Sequence, residues 1–599
     1  MSDLRYDDRT DFDDADRGRI GGLDPCVVTN AEGRTVWDND SFGFLDGPCP
    51  DTANPSLWRQ SQLCAKHGLY EVTAGIYQVR GLDLSNMTLV EGDTGVIVID
   101  PLVSKEVAAA ALRLYRDHRG DRPVTGVIYT HSHIDHFGGV AGVVEGDVPI
   151  LAPEGFLEHA VAENVYAGTA MLRRGMFHTG SPLPRDARGL IGTGLGQTAS
   201  TGEVTLLAPT VDITHTGQEE VVDGVRIVFQ VTPNTEAPAE MNFFFPDRAA
   251  LCMAENATHN LHNVLTLRGA VVRDARMWSR YLNEARTLFA DRADVLFASH
   301  HWPTWGRERI GTFLAQQRDL YAYLHDQTLR MLNQGLTGAE IAETIELPPE
   351  LAGAWHARGY YGSVSHNVKA ICQRYLGWFD GNPAHLWEHP PVESARRYVD
   401  CMGGAGEVVA KARGYVDAGD LRFAAQLLNH AVFAEPSHAA AKALLAEVYE
   451  RLGFGAESGT WRNFYLTGAQ ELRDGVSMGD DWVSASGMAH ALTIEQLFDS
   501  IAVRVNGPRA WSASLTIDWR FTDLGTAYRM TLSNGALIHW PAEPSAGADL
   551  RLALTKPQLL GILAGRGLEG VETEGDPKVL QLLVELLDEP DPAFPIVTP

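Results

Sequence analysis

The chain has 599 residues, of which 45% are apolar and 21% are charged. This length and composition exclude a mainly disordered chain and predict several domains, each with an apolar core. The 49 basic and 77 acidic residues give a formal net charge of −28, which repels phosphate backbones and anionic membrane surfaces. We therefore expect no nucleic-acid partner and no polybasic membrane contact.

Cysteine usage and hydropathy predict a cytoplasmic protein. The six cysteines do not suggest a disulfide framework in a chain of this size, and none stands in a Cys-x-x-Cys pair. The amino terminus reads MSDLRYDDRT with no apolar run behind it, so a secretory signal is not predicted. No stretch approaches the roughly 18 apolar residues of a membrane span, so no span is expected.

The first part of the chain changes character near residue 60. Residues 1–60 are acidic and rich in turn formers, which predicts an extended amino-terminal arm that wraps another part of the assembly. The pattern then becomes strand-like, with a helix from about Ser104 and short apolar runs at 76–79, 87–90, 95–100 and 126–130. Strands followed by a strand-helix-strand unit and a polar cluster predict an α/β sandwich with its chemistry at a strand end.

The second half of the chain divides into two further regions. Residues 336–485 have helical periodicity, and 424–453 resemble a tetratricopeptide-type helical hairpin. One repeat cannot bury its own face, so a helical bundle for packing or dimerisation is favoured over a peptide-binding array. Residues 486–599 alternate in polarity, and Asn534-Gly535 predicts a two-residue hairpin with a helix following at 556–564. This pattern predicts a small α+β domain.

One segment carries an unusual density of metal-ligating side chains. Residues 130–139 read THSHIDHFGG and directly follow an apolar strand. Three imidazoles and one carboxylate within six residues can face two sides of a turn, which suits two borderline-soft divalent metals such as zinc. The competing interpretation is an exposed polar loop with incidental histidines.

The segment His-x-His-x-Asp-His is the motif of the metallo-β-lactamase superfamily, and the wider sequence resembles the alkylsulfatases of that superfamily. Four further segments carry this resemblance, namely TEAPAEMN at 235–242, CMAENATH at 252–259, ASHHWP at 298–303 and YGSVSHN at 361–367. The resemblance runs from about Asn54 to the end of the chain. It implies a multidomain α/β protein, in which an αββα sandwich precedes an all-α, tetratricopeptide-like dimerisation domain and a small α+β domain similar to sterol carrier proteins. The implied boundaries are an arm at 1–60, then a catalytic domain at 61–335, a helical domain at 336–485 and a carboxy-terminal domain at 486–599.

The resemblance implies two zinc ions per subunit. It places one zinc on His131, His133 and Glu236, the other on Asp135, His136 and His300, and makes Glu255 the bridge between them. From the residues alone, three alternatives stay open: Glu240 in place of Glu236, His301 in place of His300, and a capping role for Glu255 at a helix over 256–264.

The resemblance also implies residues that act on the substrate. Arg268 corresponds to a sulfate-binding residue, with a surface ion pair as the alternative. His366 corresponds to a residue near the sulfate and the leaving oxygen, and it would act as a catalytic group together with Asp135 and Glu255. Asp100, at a strand end, is expected to accept a hydrogen bond from the ligand region.

Several aromatic and apolar residues have two interpretations. His259 and His262 flank the ligand region and either contact the ligand or belong to the core. The segment 302–305 and the pair Tyr360-Tyr361 either line the mouth of the site or pack in the core. The alternating residues of the carboxy-terminal domain either recruit amphiphiles or form its core, which is the preferred interpretation for Leu515, Ile517, Trp519 and Phe521.

The resemblance implies a homodimeric, zinc-dependent hydrolase. It would convert primary linear or secondary alkyl sulfates, such as dodecyl sulfate, to an alcohol and inorganic sulfate by means of a metal-bound hydroxide at a binuclear site. The generic motif leaves open a superfamily hydrolase of another ester class, a phosphodiester or a lactone. A third hypothesis is a lipid-binding or scaffolding protein with a vestigial metal site.

Overall fold

The computed structural model describes residues 4–478 and 484–599. Within these residues two sheets form the catalytic region. The strands of the first sheet are, in spatial order, Arg19–Gly21, Gly68–Thr73, Ile76–Arg80, Met87–Glu91, Val96–Ile99, Val124–Ile128, Ile150–Pro153 and Val211–Ile213. Those of the second are Glu219–Val222, Val225–Val231, Met241–Phe245, Ala250–Cys252, Val295–Phe297 and Thr304–Trp305.

The two sheets pack face to face, and helices cover their outer faces. Ile97 and Ile128 of the first sheet meet Phe229 and Phe243 of the second in a common apolar core. The helix Lys105–Arg119 covers the first sheet, and the helices Ala275–Phe289 and Arg307–Leu332 cover the second. The predicted αββα sandwich is confirmed.

The amino-terminal region is folded, so the prediction of an extended arm is wrong for most of it. It contains the helices Thr10–Asp16 and Pro55–Cys64, a hairpin of Val27–Thr29 and Thr35–Asp38, and the outermost strand of the first sheet. Its apolar side chains Phe42, Leu45, Leu57 and Trp58 are buried against the catalytic and helical regions. These scattered side chains have no regular period, so their burial could not be seen in the sequence pattern.

A short helical stretch lies over the edge of the sandwich. It comprises the helix Phe156–Val161, a π-helical turn Ala162–Tyr166 and the helix Gly168–Thr179. The helical region that follows the sandwich contains Gly338–Thr344, Pro349–Ala352, Val364–Leu376, Pro391–Cys401, Ala405–Asp417, Leu421–Ala434, Ala439–Gly455 and Gly459–Asp474. The predicted helical hairpin corresponds to Leu421–Ala434 and Ala439–Gly455, which pack through Leu428 and Leu444.

The carboxy-terminal domain is a five-stranded sheet with four helices, counted within the described residues. Its strands are, in spatial order, Ala536–Pro541, Thr526–Ser533, Leu515–Phe521, Leu550–Leu554 and Glu572–Gly575. Its helices are Ile494–Ala502, Gly507–Ala510, Lys556–Leu563 and Lys578–Glu585. One more strand, Ser484–Gly487, pairs with Glu203–Thr205 of the catalytic region.

Two predictions for this domain are confirmed. Asn534 and Gly535 both have positive φ, at 51° and 77°, as a tight two-residue hairpin requires. Leu515, Ile517, Trp519 and Phe521 are buried in one cluster with Phe498, so their alternation marks the core.

No helix within residues 4–478 or 484–599 combines the length and the apolar character that a membrane crossing needs.

Candidate metal centre and active site

The candidate ligands meet at one edge of the sandwich, where strands of both sheets end. His131 follows a strand of the first sheet, whereas Glu255 and His300 follow strands of the second. A β-bridge between His131 and Glu240 joins the two sheets at this point. Loops at strand ends are common sites for functional side chains, because the sheets fix their positions.

The ligand candidates form two buried groups that share Glu255. The first group is His131, His133, Glu236 and Glu255, and the second is Asp135, His136, His300 and Glu255. In each group one ligand atom from every residue lies within 4.8 Å of the others. Glu255 Oε2 lies 3.4 Å from His131 Nε2, 3.2 Å from His136 Nε2 and 3.1 Å from His300 Nε2. The carboxylate of Glu255 therefore stands between the two groups.

The donor atoms of these groups fit metal ions. Nε2 of His131, Nε2 of His136 and Oε2 of Glu236 are buried and make no hydrogen bond within the described residues. Burial opposes the charged form of His131, yet the nearby Glu236 and Glu255 raise its pKa to about 10. Convergent imidazole nitrogens and carboxylate oxygens without hydrogen bonds are the donor set that a divalent cation such as zinc prefers.

Glu236, and not Glu240, belongs to the first group. Glu240 accepts hydrogen bonds from Thr235 Oγ1 at 2.7 Å, from Ala237 N at 3.2 Å and from Glu255 N at 3.3 Å. Burial, the largest influence, raises the pKa of Glu240 to about 7, which favours its neutral form. The oxygens of Glu240 are therefore occupied by these hydrogen bonds and lie outside both metal-ligand groups.

His300, and not His301, belongs to the second group. His301 Nε2 lies 3.1 Å from the carbonyl oxygen of Gly194, and its Nδ1 accepts a hydrogen bond from His259 N at 3.0 Å. Its side chain thus faces a different part of the protein. The segment 256–264 is not helical, so the alternative in which Glu255 caps a helix there has no structural basis.

Buried neighbours orient several of the candidate ligands. Asp100 Oδ2 accepts a hydrogen bond from His136 Nδ1 at 2.8 Å, which confirms the role expected for Asp100. A backbone carbonyl lies 3.0 Å from His300 Nδ1, and Glu255 Oε1 lies 2.8 Å from His262 Nε2. These contacts leave Nε2 of His136 and His300 facing the shared centre. His262 is thus part of the site.

Sequence reasoning missed Arg273, which is buried beside Glu236. Arg273 Nη2 forms an ion pair with Glu236 Oε1, and Arg273 Nε donates to the backbone oxygen of Glu236. Burial opposes the ionised form of Glu236, but Arg273 and the neighbouring histidines hold its pKa well below the usual value. No local pattern marks Arg273, because its partner lies 37 positions away in the sequence.

Arg268, the predicted sulfate ligand, is paired with a residue that was also missed. Arg268 Nη1 contacts Glu163 Oε1, and Glu163 Oε2 lies 3.4 Å from His133 Nε2. Burial opposes the charged form of Glu163, yet Arg268 and His133 hold its pKa below the usual value. Arg268 therefore forms an ion pair, but this pair is largely buried and lies against the first ligand group, unlike the surface ion pair considered as an alternative.

His366 lies in the first turn of the helix Val364–Leu376 and is fixed by a tryptophan of the helical region. Trp461 Nε1 donates to His366 Nδ1 at 2.9 Å, and the two rings stack. Burial, together with the charges of Lys369, His262 and Arg273, lowers the pKa of His366 to about 3, so the ring is neutral at neutral pH. Because Nδ1 accepts, the single ring proton is on Nε2, which is buried and has no hydrogen-bond partner within the described residues.

The remaining aromatic candidates divide between site and core. His259 stacks on Trp302, with ring centroids 4.6 Å apart, and packs in the core. Tyr360 is fully buried and bonded to the amino-terminal region, so it is also a core residue. Tyr361 packs edge-on against His262, and its hydroxyl lies 3.0 Å from His178 Nε2. Of the pair, only Tyr361 reaches the metal-ligand region.

An apolar cleft of about 980 Å³ lies between the catalytic region and the carboxy-terminal domain. Within the described part of the chain, its lining contains two arginines, Arg268 and Arg566, and no carboxylate. The helix Gly168–Thr179 forms one wall, and residues of the carboxy-terminal domain form the other. Apolar members of the lining include Met171, Leu172, Met176, Leu497, Leu560 and Leu563.

The sandwich and its edge site define a class of protein, the metallo-β-lactamase superfamily, whose family profile matches residues 80–155. Two further profiles match the rest of the chain: alkyl sulfatase dimerisation at 337–475 and alkyl sulfatase C-terminal at 483–599. A linear primary-alkylsulfatase from Pseudomonas sp. is 49% identical, over 100% of this chain and 91% of that protein. The chain belongs to the alkylsulfatase family.

Two further relatives agree with this assignment. An (R)-specific secondary-alkylsulfatase from Pseudomonas sp. is 45% identical, over 100% of this chain and 92% of that protein. The solved structure of a stereoselective inverting sec-alkylsulfatase from Pseudomonas sp. has a TM-score of 0.97 and 44% identity, covering 100% of this chain and 96% of that chain. The predicted family, enzyme class and fold are therefore confirmed, and the family and ligand groups together indicate metal ions at the site.

Proposed function

We propose that this enzyme hydrolyses alkyl sulfate esters, such as dodecyl sulfate, to an alcohol and inorganic sulfate at two zinc ions. The observation that carries the proposal is the pair of buried ligand groups joined by the Glu255 carboxylate. Each group offers three residues of its own besides Glu255, and all of them carry imidazole or carboxylate donors. Two such groups suit two ions with one shared carboxylate ligand.

The predicted ligands divide between the two ions. We assign His131, His133 and Glu236 to one ion, and Asp135, His136 and His300 to the other, with Glu255 on both. When bound, the ions would lower the pKa of a coordinated water from about 16 to about 7 and polarise the ester. Asp135 and Glu255 then serve catalysis as ligands, while Arg273 holds Glu236 and Asp100 holds His136 in place.

Arg268 and His366 are proposed to handle the sulfate group. Arg268 lies against the first ligand group through Glu163, where a guanidinium can bind the oxygens of a tetrahedral anion. The tautomer of His366 that Trp461 selects presents an N–H donor. Such a donor would hydrogen-bond to the leaving oxygen of the ester, which gains negative charge as its bond breaks.

The apolar cleft is proposed to hold the alkyl chain. Its volume of about 980 Å³ lies at the upper end of the range of small-molecule sites, about 300 to 1,000 Å³. Several methionines line it, and their unbranched side chains adapt to ligands of different shape. Arg268 lies in the lining of the cleft, so a sulfate bound there directs its chain between the two domains.

The homodimer expected from the sequence remains a proposal, supported by an exposed apolar surface in the region that matches the dimerisation profile. Trp378 is 77% exposed and Trp387 is 97% exposed, with Leu376, Leu386 and Tyr398 also exposed nearby in sequence. Apolar side chains of this size are usually covered in soluble proteins. We propose that a second copy of the chain covers them.

Two other predictions also remain proposals. The boundaries at residues 60, 335 and 485 are kept as the division into a folded amino-terminal region and catalytic, helical and carboxy-terminal domains, the last resembling sterol carrier proteins. We propose a cytoplasmic location, because all six cysteines are unpaired, as in a reducing compartment.

The function is tested by sulfate release from dodecyl sulfate and from a secondary alkyl sulfate, using zinc-loaded protein. Glu255→Gln removes the shared carboxylate charge and should abolish release, as should a chelator. Asp518→Asn is the control, because Asp518 is a buried carboxylate of the carboxy-terminal domain and lies outside both ligand groups. Absence of release by the wild type would contradict the proposal and favour a phosphodiester or lactone substrate.

A further inference from the structure

We propose that Glu163 makes the sulfate site selective for singly charged anions, so that it admits the ester and expels the product. This inference rests on the proposed function. Hydrolysis converts an alkyl sulfate with one negative charge and a water molecule into an alcohol, a proton and inorganic sulfate with two negative charges. A site that only attracted anions would therefore bind its product more tightly than its substrate, since Coulomb attraction scales with ligand charge.

The position of Glu163 is the first observation behind this inference. Glu163 Oε1 contacts Arg268 Nη1, while Glu163 Oε2 lies 3.4 Å from His133 Nε2. The other nitrogen of that ring, His133 Nδ1, lies 2.8 Å from Glu236 Oε2 inside the first ligand group. The carboxylate thus stands between the guanidinium and the metal-ligand group. An anion that touches both must lie beside it.

The chemistry of this arrangement is the second observation. A carboxylate in an anion site cancels the charge of Arg268 and repels the anion. The site therefore binds anions more weakly than the same site would without Glu163. Glu163 is also largely buried, with 11% of its side chain exposed, which adds a desolvation cost. It lies in a π-helical turn, Ala162–Tyr166, a rare geometry that often accompanies functional sites. The weaker binding and the desolvation cost are explained if repulsion by Glu163 serves to release the doubly charged product.

The size of the effect follows from Coulomb's law. Two unit charges about 6 Å apart repel each other enough to lower affinity about tenfold at an effective dielectric constant of about 40, and about a hundredfold at about 20. The doubly charged product experiences this factor twice. Removal of the Glu163 charge should therefore strengthen binding of a singly charged ligand at least about tenfold and of a doubly charged ligand at least about a hundredfold.

The test is isothermal titration calorimetry of zinc-loaded protein with inorganic sulfate and with methanesulfonate. Methanesulfonate has a similar head group, one charge and a carbon–sulfur bond that hydrolysis does not break. In Glu163→Gln, the ratio of the sulfate to the methanesulfonate dissociation constant should fall at least about tenfold relative to wild type. Both ligands bind the same preparation, so a partial loss of zinc changes the stoichiometry and leaves the ratio intact.

One control variant separates charge from structure. Glu163→Asp keeps the charge and should hold the ratio closer to wild type than Glu163→Gln does.

The inference is overturned if Glu163→Gln leaves the ratio within threefold of wild type, or if Glu163→Asp and Glu163→Gln change it equally. Hydrolysis of dodecyl sulfate by the wild type is measured separately. Its absence would refute the proposed function, whereas an unchanged ratio with normal hydrolysis would refute only the role of Glu163.

Discussion

Replacing Asp100 by asparagine tests how far the site depends on a residue that binds no metal itself. Asp100 Oδ2 accepts from Thr130 Oγ1 at 2.7 Å, from His136 Nδ1 at 2.8 Å and from Ser299 Oγ at 2.6 Å. Its Oδ1 accepts from Thr130 N at 2.8 Å. Every one of these partners donates, so both oxygens are needed as acceptors.

Asparagine replaces one acceptor oxygen by an amide that donates. If the amide faces His136, the ring must move its proton to Nε2, which then loses the lone pair that would bind a metal. If the amide faces Thr130 N, a buried backbone donor is left unpaired, at a cost of about 1 to 3 kcal/mol. Loss of such an outer partner lowers metal affinity about 10- to 100-fold, or about 1.4 to 2.7 kcal/mol.

The assay is competition for zinc with a chelating dye, comparing wild type, Asp100→Asn and Asp518→Asn. Asp518 is the matched control, because it is a buried aspartate of the carboxy-terminal domain that accepts from Arg529 Nε at 2.7 Å. Asp518→Asn should cost stability and leave zinc affinity unchanged. Zinc affinity of Asp100→Asn within twofold of wild type would refute the reasoning.

Three further predictions concern the N–H donor of His366, the apolar cleft and the proposed dimer. Trp461→Phe keeps an aromatic ring against His366 but removes the hydrogen bond, so kcat for dodecyl sulfate should fall about 2- to 10-fold at an unchanged KM; an unchanged kcat in steady-state assays would contradict this. Leu172→Trp fills the cleft and should reduce kcat/KM for dodecyl sulfate at least about tenfold more than for butyl sulfate, since each displaced methylene costs about 0.8 kcal/mol. Equal losses for the two substrates would show that the alkyl chain binds outside the cleft. Trp378→Ser combined with Trp387→Ser should give a monomer in light scattering, and a dimer that persists would locate the interface on another surface.

The local part of the candidate site could be proposed from the sequence, and the structure brings its members into the two ligand groups. The cluster of His131, His133, Asp135 and His136 was recognisable because its members share one turn, where spacing and residue type suffice. Glu236 and His300 were harder, because Glu240 and His301 lie beside them and carry the same donor groups. What distinguishes the members of each pair is which way a loop turns them, and this depends on distant partners.

The residues that sequence reasoning missed are those whose roles arise only from tertiary contacts. Arg273 and Glu163 have no motif, and each acquires its role from a partner far along the chain. The sequence allows a helix over 256–264 capped by Glu255, but in the structure the side-chain amide of Asn256 donates to Thr232 and Asn242. Its backbone oxygen accepts from Trp278. These bonds replace helical ones, so local propensity could not decide the conformation.

The apolar cleft bears on how the substrate preference of this enzyme evolves. Its two walls belong to different parts of the chain, with Leu172 on the catalytic side and Leu560 on the carboxy-terminal side, whereas the ligand groups belong wholly to the sandwich. If the cleft holds the alkyl chain as proposed, mutations in the carboxy-terminal wall alter the space for that chain and leave the ligand groups of the sandwich unchanged. On that proposal, the preference for the length and shape of the alkyl chain evolves through residues of the carboxy-terminal wall, independently of the residues that carry out hydrolysis.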